Sequence, residues 1–218
     1  MLDQDSIATS IFTKETGIQM LNISAGSWGP DNCAAYLKDK GLFGAKAMYL
    51  LVSSHDAHDN MNFESVVGVH PKYPDKQYKL AWAELIDRYI WPRTFGKWFA
   101  KPAAESDDPD QKVSKSIDGS DIEKKGMKFN PGFDQLLAIS KKNGIPLYIC
   151  LHPATKEVAA GKYNWQGPEI INWCMAHGIS PILELKEGIK SDMYRDGIHT
   201  NEKGQRFEAD LMEKYIKI

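Results

Sequence analysis

The strongest constraint on the fold comes from two continuous apolar runs. Residues 47–52 are AMYLLV and residues 146–151 are PLYICL. An unbroken apolar run of this length predicts a strand that is buried on both faces, as in the interior of a parallel sheet. Each run ends in a polar stretch that contains histidine, at residues 53–60 and 152–155. The sequence therefore predicts at least two central strands whose carboxyl ends carry polar side chains.

Amphipathic segments alternate with the apolar runs along the chain. Two further strands are predicted at 18–23 and 181–185. The whole chain, residues 1–218, is predicted to form a single domain with a polar insertion around 100–126. Strands that alternate with helices favour an α/β fold with a parallel sheet, in which ligands lie beyond the carboxyl ends of the strands. Helices are predicted at 6–16, 30–41, 77–91, 130–143, 168–177 and 201–216.

The composition excludes several classes of function. The 218 residues carry a formal net charge of −2, which gives no general attraction to nucleic acid or to an anionic membrane. No apolar stretch reaches the ~18 residues of a membrane span, and the acidic start lacks the features of a signal peptide, so we expect a soluble protein. The three cysteines are too widely spaced for a metal knuckle, and we expect no metal and no cofactor.

The most specific local pattern is the stretch DGIHTNEKGQ at residues 196–205. Asp196 precedes His199 by three residues in a predicted loop before the last helix. This spacing lets a carboxylate hold the Nδ1–H of the imidazole and leaves Nε2 free to take a proton from a nucleophile. An isolated Asp-x-x-His pair is more often an incidental polar loop at a helix N-terminus. The longer stretch, placed after the fourth predicted strand, favours Asp196 and His199 as catalytic residues.

This stretch resembles the last conserved block of SGNH/GDSL-type hydrolases, in which an Asp and a His complete a catalytic triad. Two further stretches resemble family blocks in the same order: NISAGSWGP at 22–30 and SSHD at 53–56. The resemblance implies an oxyanion hole made by a backbone N–H of Gly26 or Ser27 and by His55, which stands where the family has Asn. It also implies an esterase whose substrate is a carbohydrate ester or another small acyl ester.

The family's opening block, a strand followed by Gly-Asp-Ser with the nucleophile, has no counterpart here. Asp5-Ser6 has part of the motif, but no strand precedes it. We therefore expect that the chain starts downstream of the nucleophile serine and is inactive by itself. The fold implied by the resemblance is a three-layer α/β/α sandwich of the SGNH or flavodoxin-like kind that lacks its first strand.

Three alternatives use other features of the sequence. Residues 25–29, AGSWG, fit a nucleophile elbow with Ser27 as the attacking residue of an α/β-hydrolase. Without a nucleophile, the chain would instead be a pseudoenzyme that binds glycans or partners through its cleft, with Trp28, Trp91 and Trp98 nearby. The third alternative is a divalent metal in the crowded loop after the first central strand. Its ligands would be His55, Asp56, His58 and Asp59.

Two residues are further candidates for the wall of the cleft. Asp56 follows His55 in the loop after the first central strand, and His152 follows the second. The carboxyl ends of parallel strands lie at one edge of a sheet, so both residues belong to the same edge. His152 is predicted either to line the cleft or simply to cap its loop. The oligomeric state is left open by the sequence.

Overall fold

The structure is a computed structural model that describes residues 3–60, 78–86 and 128–217. The chain divides into two compact units, one formed by Met1–Met61 with Asp118–Ile218 and the other by Asn62–Ile117. In chain order the helices are α1 (Ala8–Thr16), α2 (Pro30–Lys40), α3 (Ala81–Glu84), α4 (Gly132–Asn143), α5 (Thr155–Ala160), α6 (Gly167–Ala176), α7 (Glu184–Glu187) and α8 (Glu202–Tyr215). The strands are β1 (Met48–Ser53), β2 (Leu147–His152) and β3 (Ile182–Leu183), and short 3-10 helices span Gln4–Ser6, Ser54–Ala57 and Ser191–Met193.

The three strands form a parallel sheet in the order β1-β2-β3. Ser53 pairs with His152, so the last residues of β1 and β2 lie side by side. The combination of this sheet with the surrounding helices confirms the predicted α/β class. Strand β1 is the less covered of the two long strands, with Leu51 39% exposed, so the prediction of burial on both faces holds for β2 better than for β1.

Alternate residues of the strands belong to different hydrophobic clusters. Tyr49 and Tyr148 pack with α1 and α8, around Phe12 and Met212. The next residues along the strands belong to a larger cluster with α2, α4 and α6, whose fully buried members include Phe133. Successive strand side chains point to opposite faces, so the two clusters use opposite faces of the sheet. The larger cluster takes Leu50, Val52, Ile149 and Leu151 from the strands.

The prediction of a strand at 18–23 is wrong. The backbone there has no sheet partner among the described residues, and two of its N–H groups bond to helix α1 instead. Ile18 N–H donates to the Thr16 hydroxyl at 3.1 Å, and Met20 N–H donates to the Thr13 hydroxyl at 3.0 Å. These side-chain acceptors at the end of α1 replace the ladder bonds that a strand would make.

The boundaries of the other elements differ less from their predicted positions. Helix α1 begins at Ala8, two residues after the predicted start, and the Ala8 N–H donates to Gln205 Oε1 of α8 at 2.8 Å. Strand β3 ends at Leu183 because Glu184 starts the short helix α7. Helices α2, α4, α6 and α8 match their predictions within about two residues.

Other predictions fall partly or wholly outside the described ranges. Of the helix predicted at 77–91, only residues 78–86 are described, and they contain α3 with Trp82 74% exposed. The predicted polar insertion at 100–126 lies outside the described residues, as do Trp91 and Trp98. None of the described helices has the length and apolar character of a membrane span.

Candidate functional site

The structure brings Asp196 and His199 into direct contact. His199 Nδ1 lies 2.9 Å from Asp196 Oδ2 and 3.1 Å from Oδ1. Asp196 Oδ1 also accepts the backbone N–H groups of Ile198, at 2.9 Å, and of His199, at 2.7 Å. An ionised carboxylate only accepts hydrogen bonds, so Nδ1 carries a ring proton, and in the neutral imidazole the lone pair lies on Nε2. This is the orientation that a general base requires.

The surroundings of Asp196 favour its ionised form. Burial would raise its pKa, but the N–H groups of Ile198 and His199 and the imidazole outweigh that effect, and the pKa lies below its ordinary value. Both side chains are about half exposed, at 48% and 54% for Asp196 and His199. The pair is therefore open to solvent while its internal geometry is fixed by three donors.

A small backbone frame holds the loop that carries the pair. Tyr194 and Thr200 form an antiparallel bridge, and Arg195 N–H donates to the His199 carbonyl at 2.9 Å. Asn201 then caps α8, because its Oδ1 accepts the N–H groups of Lys203 at 2.9 Å and of Gly204 at 3.3 Å. The cap fixes the point at which the loop becomes a helix.

The same loop is attached to the carboxyl end of β2. The Gly197 carbonyl accepts both the N–H of Thr155, at 2.9 Å, and its hydroxyl, at 3.1 Å. The Ile198 carbonyl accepts Nε2–H of His152 at 2.8 Å. His152, a predicted cleft residue, is only 6% exposed and lies beneath the loop, where it also bonds Glu184. It therefore supports the loop from below and does not line an open cleft.

The predicted oxyanion donor His55 lies in the 3-10 helix that follows β1. Its Nδ1 is 3.2 Å from the Ser53 hydroxyl, and its Nε2 is 3.9 Å from Asp56 Oδ1. Asp56 is buried and accepts Ser53 N–H at 2.7 Å, which caps this short helix. Burial raises the pKa of Asp56, although the His55 charge and the Ser53 N–H act in the opposite direction. Asp56 thus has a structural partner in addition to any part in a cleft.

Three of the four residues in the metal alternative lie together. Ligand atoms of His55, Asp56 and Asp59 are all within 4.8 Å of one another. His58 is turned elsewhere, since its Nε2 bonds Glu169 at 2.8 Å and its ring packs near Trp165. Burial, followed by the charge of Asp56, raises the pKa of Asp59. The three residues offer an arrangement that could accept a divalent ion, and His55 Nε2 already lies 3.9 Å from Asp56 Oδ1.

The turn that contains Gly26 and Ser27 is exposed. Ser27 has a φ of 60°, in the left-handed region that non-glycine residues seldom adopt. Gly29, at the end of the turn, packs against the loop after β1, where an added Cβ would lie 2.8 Å from the Asp59 carbonyl oxygen. Among residues 3–60 and 128–217, no hydrogen bond joins Gly26, Ser27 or His55 to His199. The structure therefore links the turn to the His55 loop, and the acid–base pair to β2.

Buried acids near the site were missed by the sequence patterns. Glu157 accepts the Ser54 hydroxyl at 2.6 Å and so ties the end of β1 to the segment after β2. Glu184 and Glu208 are 0% and 4% exposed and lie beneath the loop that carries Asp196 and His199. The signal for Glu184 was present, because a charged residue inside an apolar strand run must find a buried partner. Nothing local distinguishes Glu208 or Glu157 from an exposed helical glutamate.

Chemically, the Asp196–His199 pair can remove a proton from a hydroxyl or from water and return it to a leaving group. The polar loops at the ends of β1 and β2 surround the same edge of the sheet. No family model matches the chain, and searches of curated proteins and of solved structures return no significant match.

Proposed function

We propose that the protein is an ester hydrolase of the SGNH/GDSL type, with His199 as general base and Asp196 as its orienting acid. The observation that carries the proposal is the contact of His199 Nδ1 with both oxygens of Asp196, which leaves Nε2 as the proton acceptor. The substrate class is a small acyl ester, such as an acetylated carbohydrate. The proposal rests on these residues and on the resemblance of the three sequence blocks.

The proposed reaction has two halves. In the first, His199 Nε2 takes the proton of a serine hydroxyl while the serine oxygen attacks the acyl carbonyl, and then gives the proton to the departing alcohol. In the second, His199 takes a proton from water, the hydroxide attacks the acyl-serine, and the serine regains its proton as the acid leaves. Asp196 holds the tautomer and stabilises the imidazolium formed in each half.

Charge on the carbonyl oxygen would be stabilised by the backbone N–H of Gly26 or Ser27 and by His55. The packing of Gly29 against Asp59 supports this grouping, because it keeps the turn beside the loop that contains His55. The parallel strands and the two clusters on alternate strand residues support a three-layer α/β/α sandwich. We propose that this sandwich has the arrangement of the SGNH hydrolases.

Ser27 is the alternative nucleophile within this chain. Its left-handed backbone favours that role, because strained backbone positions cluster at functional sites and a nucleophile elbow is one such case. A covalent probe separates Ser27 from any other serine. We would treat the protein with a fluorophosphonate and locate the modified residue by peptide mass spectrometry.

Hydrolysis of p-nitrophenyl acetate tests the acid–base pair. For an active site with Ser27 as the nucleophile, we expect His199→Gln and Asp196→Asn to lower kcat/KM by at least about 10²-fold, the contribution of a positioned base. Exposed histidines hydrolyse activated esters weakly, so the matched control is His177→Gln, an exposed imidazole whose Nδ1 lies 2.8 Å from the Trp173 carbonyl. His177→Gln should leave the rate unchanged. A wild-type rate no higher than that of His199→Gln contradicts an active site built from Ser27, His199 and Asp196.

A further inference from the structure

A buried polar network lies beneath the loop that carries the acid–base pair. Its members are His152 at the end of β2, Glu184 at the start of α7 and Glu208 in α8. They are 6%, 0% and 4% exposed, and one ligand atom from each lies within 4.8 Å of the others. Burying a charged group is unfavourable in free energy unless the group is paired. This network therefore carries a desolvation penalty that a hydrophobic core would not have.

The network is hydrogen-bonded to the loop on both sides of His199. On one side, Nε2–H of His152 donates to the Ile198 carbonyl at 2.8 Å. On the other side, the Thr200 hydroxyl donates to Glu208 Oε1 at 3.0 Å. Gln205 reinforces the second contact, because its Nε2 donates to the Thr200 hydroxyl at 2.6 Å and to Glu208 Oε2 at 3.3 Å. The residues directly before and after His199 are therefore anchored to the same buried group of side chains.

The protonation of His152 follows from its two partners. The Ile198 carbonyl can only accept, so Nε2 carries a proton. Nδ1 lies 2.6 Å from Glu184 Oε2, the separation of a charge-assisted hydrogen bond. An imidazolium that donates from both nitrogens satisfies both contacts. Its ring cannot rotate without breaking one of them.

The acidity of the groups agrees with this geometry. Burial would lower the pKa of His152, but the hydrogen bond and charge of Glu184, with Glu208, raise it to about 9. Burial and the charge of Glu184 raise the pKa of Glu208 to about 7, against the effect of His152 and Thr200. The network therefore holds a cationic His152 near neutral pH.

We infer that His152 and Glu208 are positioning residues, which act through Ile198 and Thr200 to hold His199 against Asp196 with Nε2 aimed at the reacting hydroxyl. This role rests on the proposed function. Since the side chains of Asp196 and His199 are about half exposed, the buried network beneath the loop supplies the rigid support. A misplacement of about 1 Å at a catalytic group can cost on the order of 10²-fold in rate.

The test measures His199 without any need for turnover. In His152→Leu and Thr200→Val, we expect the His199 amide, which donates to Asp196, to exchange with solvent about tenfold faster than in the wild type. The Ile149 amide in β2 should be unchanged, which excludes global loosening. The ring Nδ1–H of His199, followed by ¹⁵N NMR, should lose intensity in the same variants.

Two further variants make the test specific. His152→Gln keeps an amide donor near the position of Nε2, so it should restore slow exchange at His199. His58→Gln removes another buried histidine, which bonds Glu169 and makes no described contact with the loop, so it should leave His199 unchanged. Thr200→Val lacks only the hydroxyl and retains the shape of the side chain, so it keeps the test valid if His152→Leu does not fold.

The outcomes separate this inference from the proposed function. Faster exchange in both His152→Leu and Thr200→Val supports the positioning role, even in a protein that hydrolyses no ester. If ester hydrolysis is found, we expect kcat to fall about tenfold in Thr200→Val with KM unchanged, as for a group that positions the base. Unchanged His199 exchange and ring signals in Thr200→Val overturn the inference, whether or not the protein is an esterase.

Discussion

The loop at 194–201 and the turn at 24–29 are the two halves of the proposed site, and they are held very differently. The loop is bonded to β2, to α5 and to α8, and a buried network lies beneath it. The turn is fixed mainly by local bonds, such as Ser24 N–H and hydroxyl to Asn22 Oδ1 at 2.9 and 2.6 Å. Its residues from Ser24 to Ser27 are exposed.

This contrast shows which part of the proposed mechanism is preorganised. In the proposed mechanism the general base must keep its orientation, and the buried charged groups beneath the loop would supply that rigidity. A backbone N–H donor needs only its main chain in place, so a turn that packs through Gly29 can serve with fewer anchors. Substitutions in the loop should therefore disturb both stability and chemistry, whereas substitutions in the turn should disturb stability little.

A pair of glycine substitutions tests this difference most strongly. A Cβ on Gly204 would lie 2.4 Å from the Met193 carbonyl oxygen and 2.6 Å from Thr200 Cβ. Gly204→Ala must therefore push the loop away, and we expect a loss of about 1–3 kcal/mol in the free energy of unfolding. The matched control is Gly26→Ala, since nothing lies within 4 Å of a Cβ there.

Urea denaturation of the two variants measures the effect. Gly26→Ala should stay within about 0.5 kcal/mol of the wild type, as for an ordinary surface change. Equal losses in the two variants would remove the distinction between an anchored loop and an open turn.

The parts of the fold that are local in sequence could be predicted. Continuous apolar residues indicated β1 and β2, because buried strands need apolar side chains on both faces. The Asp196–His199 contact was also predictable, since three residues of a tight loop can close it without help from the rest of the chain. Helix α8 was marked at its start by Asn201, which caps it as its residue type favours.

The remainder depends on contacts between distant segments. The stretch at 18–23 has the composition of a strand, but the hydroxyls of Thr13 and Thr16 accept two of its N–H groups. Likewise, the inward orientation of His152 requires Glu184, which is 32 residues away. Such partners are set by packing and leave no periodic signal, so sequence patterns placed His152 at the rim.

The pH dependence of stability is a second, gentler test of the loop's support. The pKa of His152 is raised from 6.5 to about 9, so its stabilising contribution is complete below pH 6.5 and is lost as the pH rises through 9. The pKa of Glu208 is raised from 4.5 to about 7, so its contribution is lost between those values. Both groups therefore make the protein less stable as the pH rises.

We expect the free energy of unfolding, measured in urea between about pH 5 and about pH 9.5, to fall steadily. Glu208→Gln has no proton to lose, so its curve should be flatter in the lower half of this range and should still fall in the upper half. A wild-type curve that is level over the whole range would mean that the buried groups do not titrate as their surroundings require.

The smallest expected effect concerns Ser27, and it also decides between the two proposed roles of this residue. Glycine adopts a φ of 60° without strain. Even after the entropic cost of glycine, Ser27→Gly should therefore raise the free energy of unfolding by about a few tenths of a kcal/mol. Ser24→Gly, the control, should lose about 0.5–1 kcal/mol, because it adds glycine without relieving strain and removes the bond to Asn22. If Ser27 supplies only a backbone N–H to the oxyanion, its hydroxyl takes no fluorophosphonate label in the wild type, and Ser27→Gly keeps that N–H. If Ser27 is the nucleophile, hydrolysis and fluorophosphonate labelling are both lost.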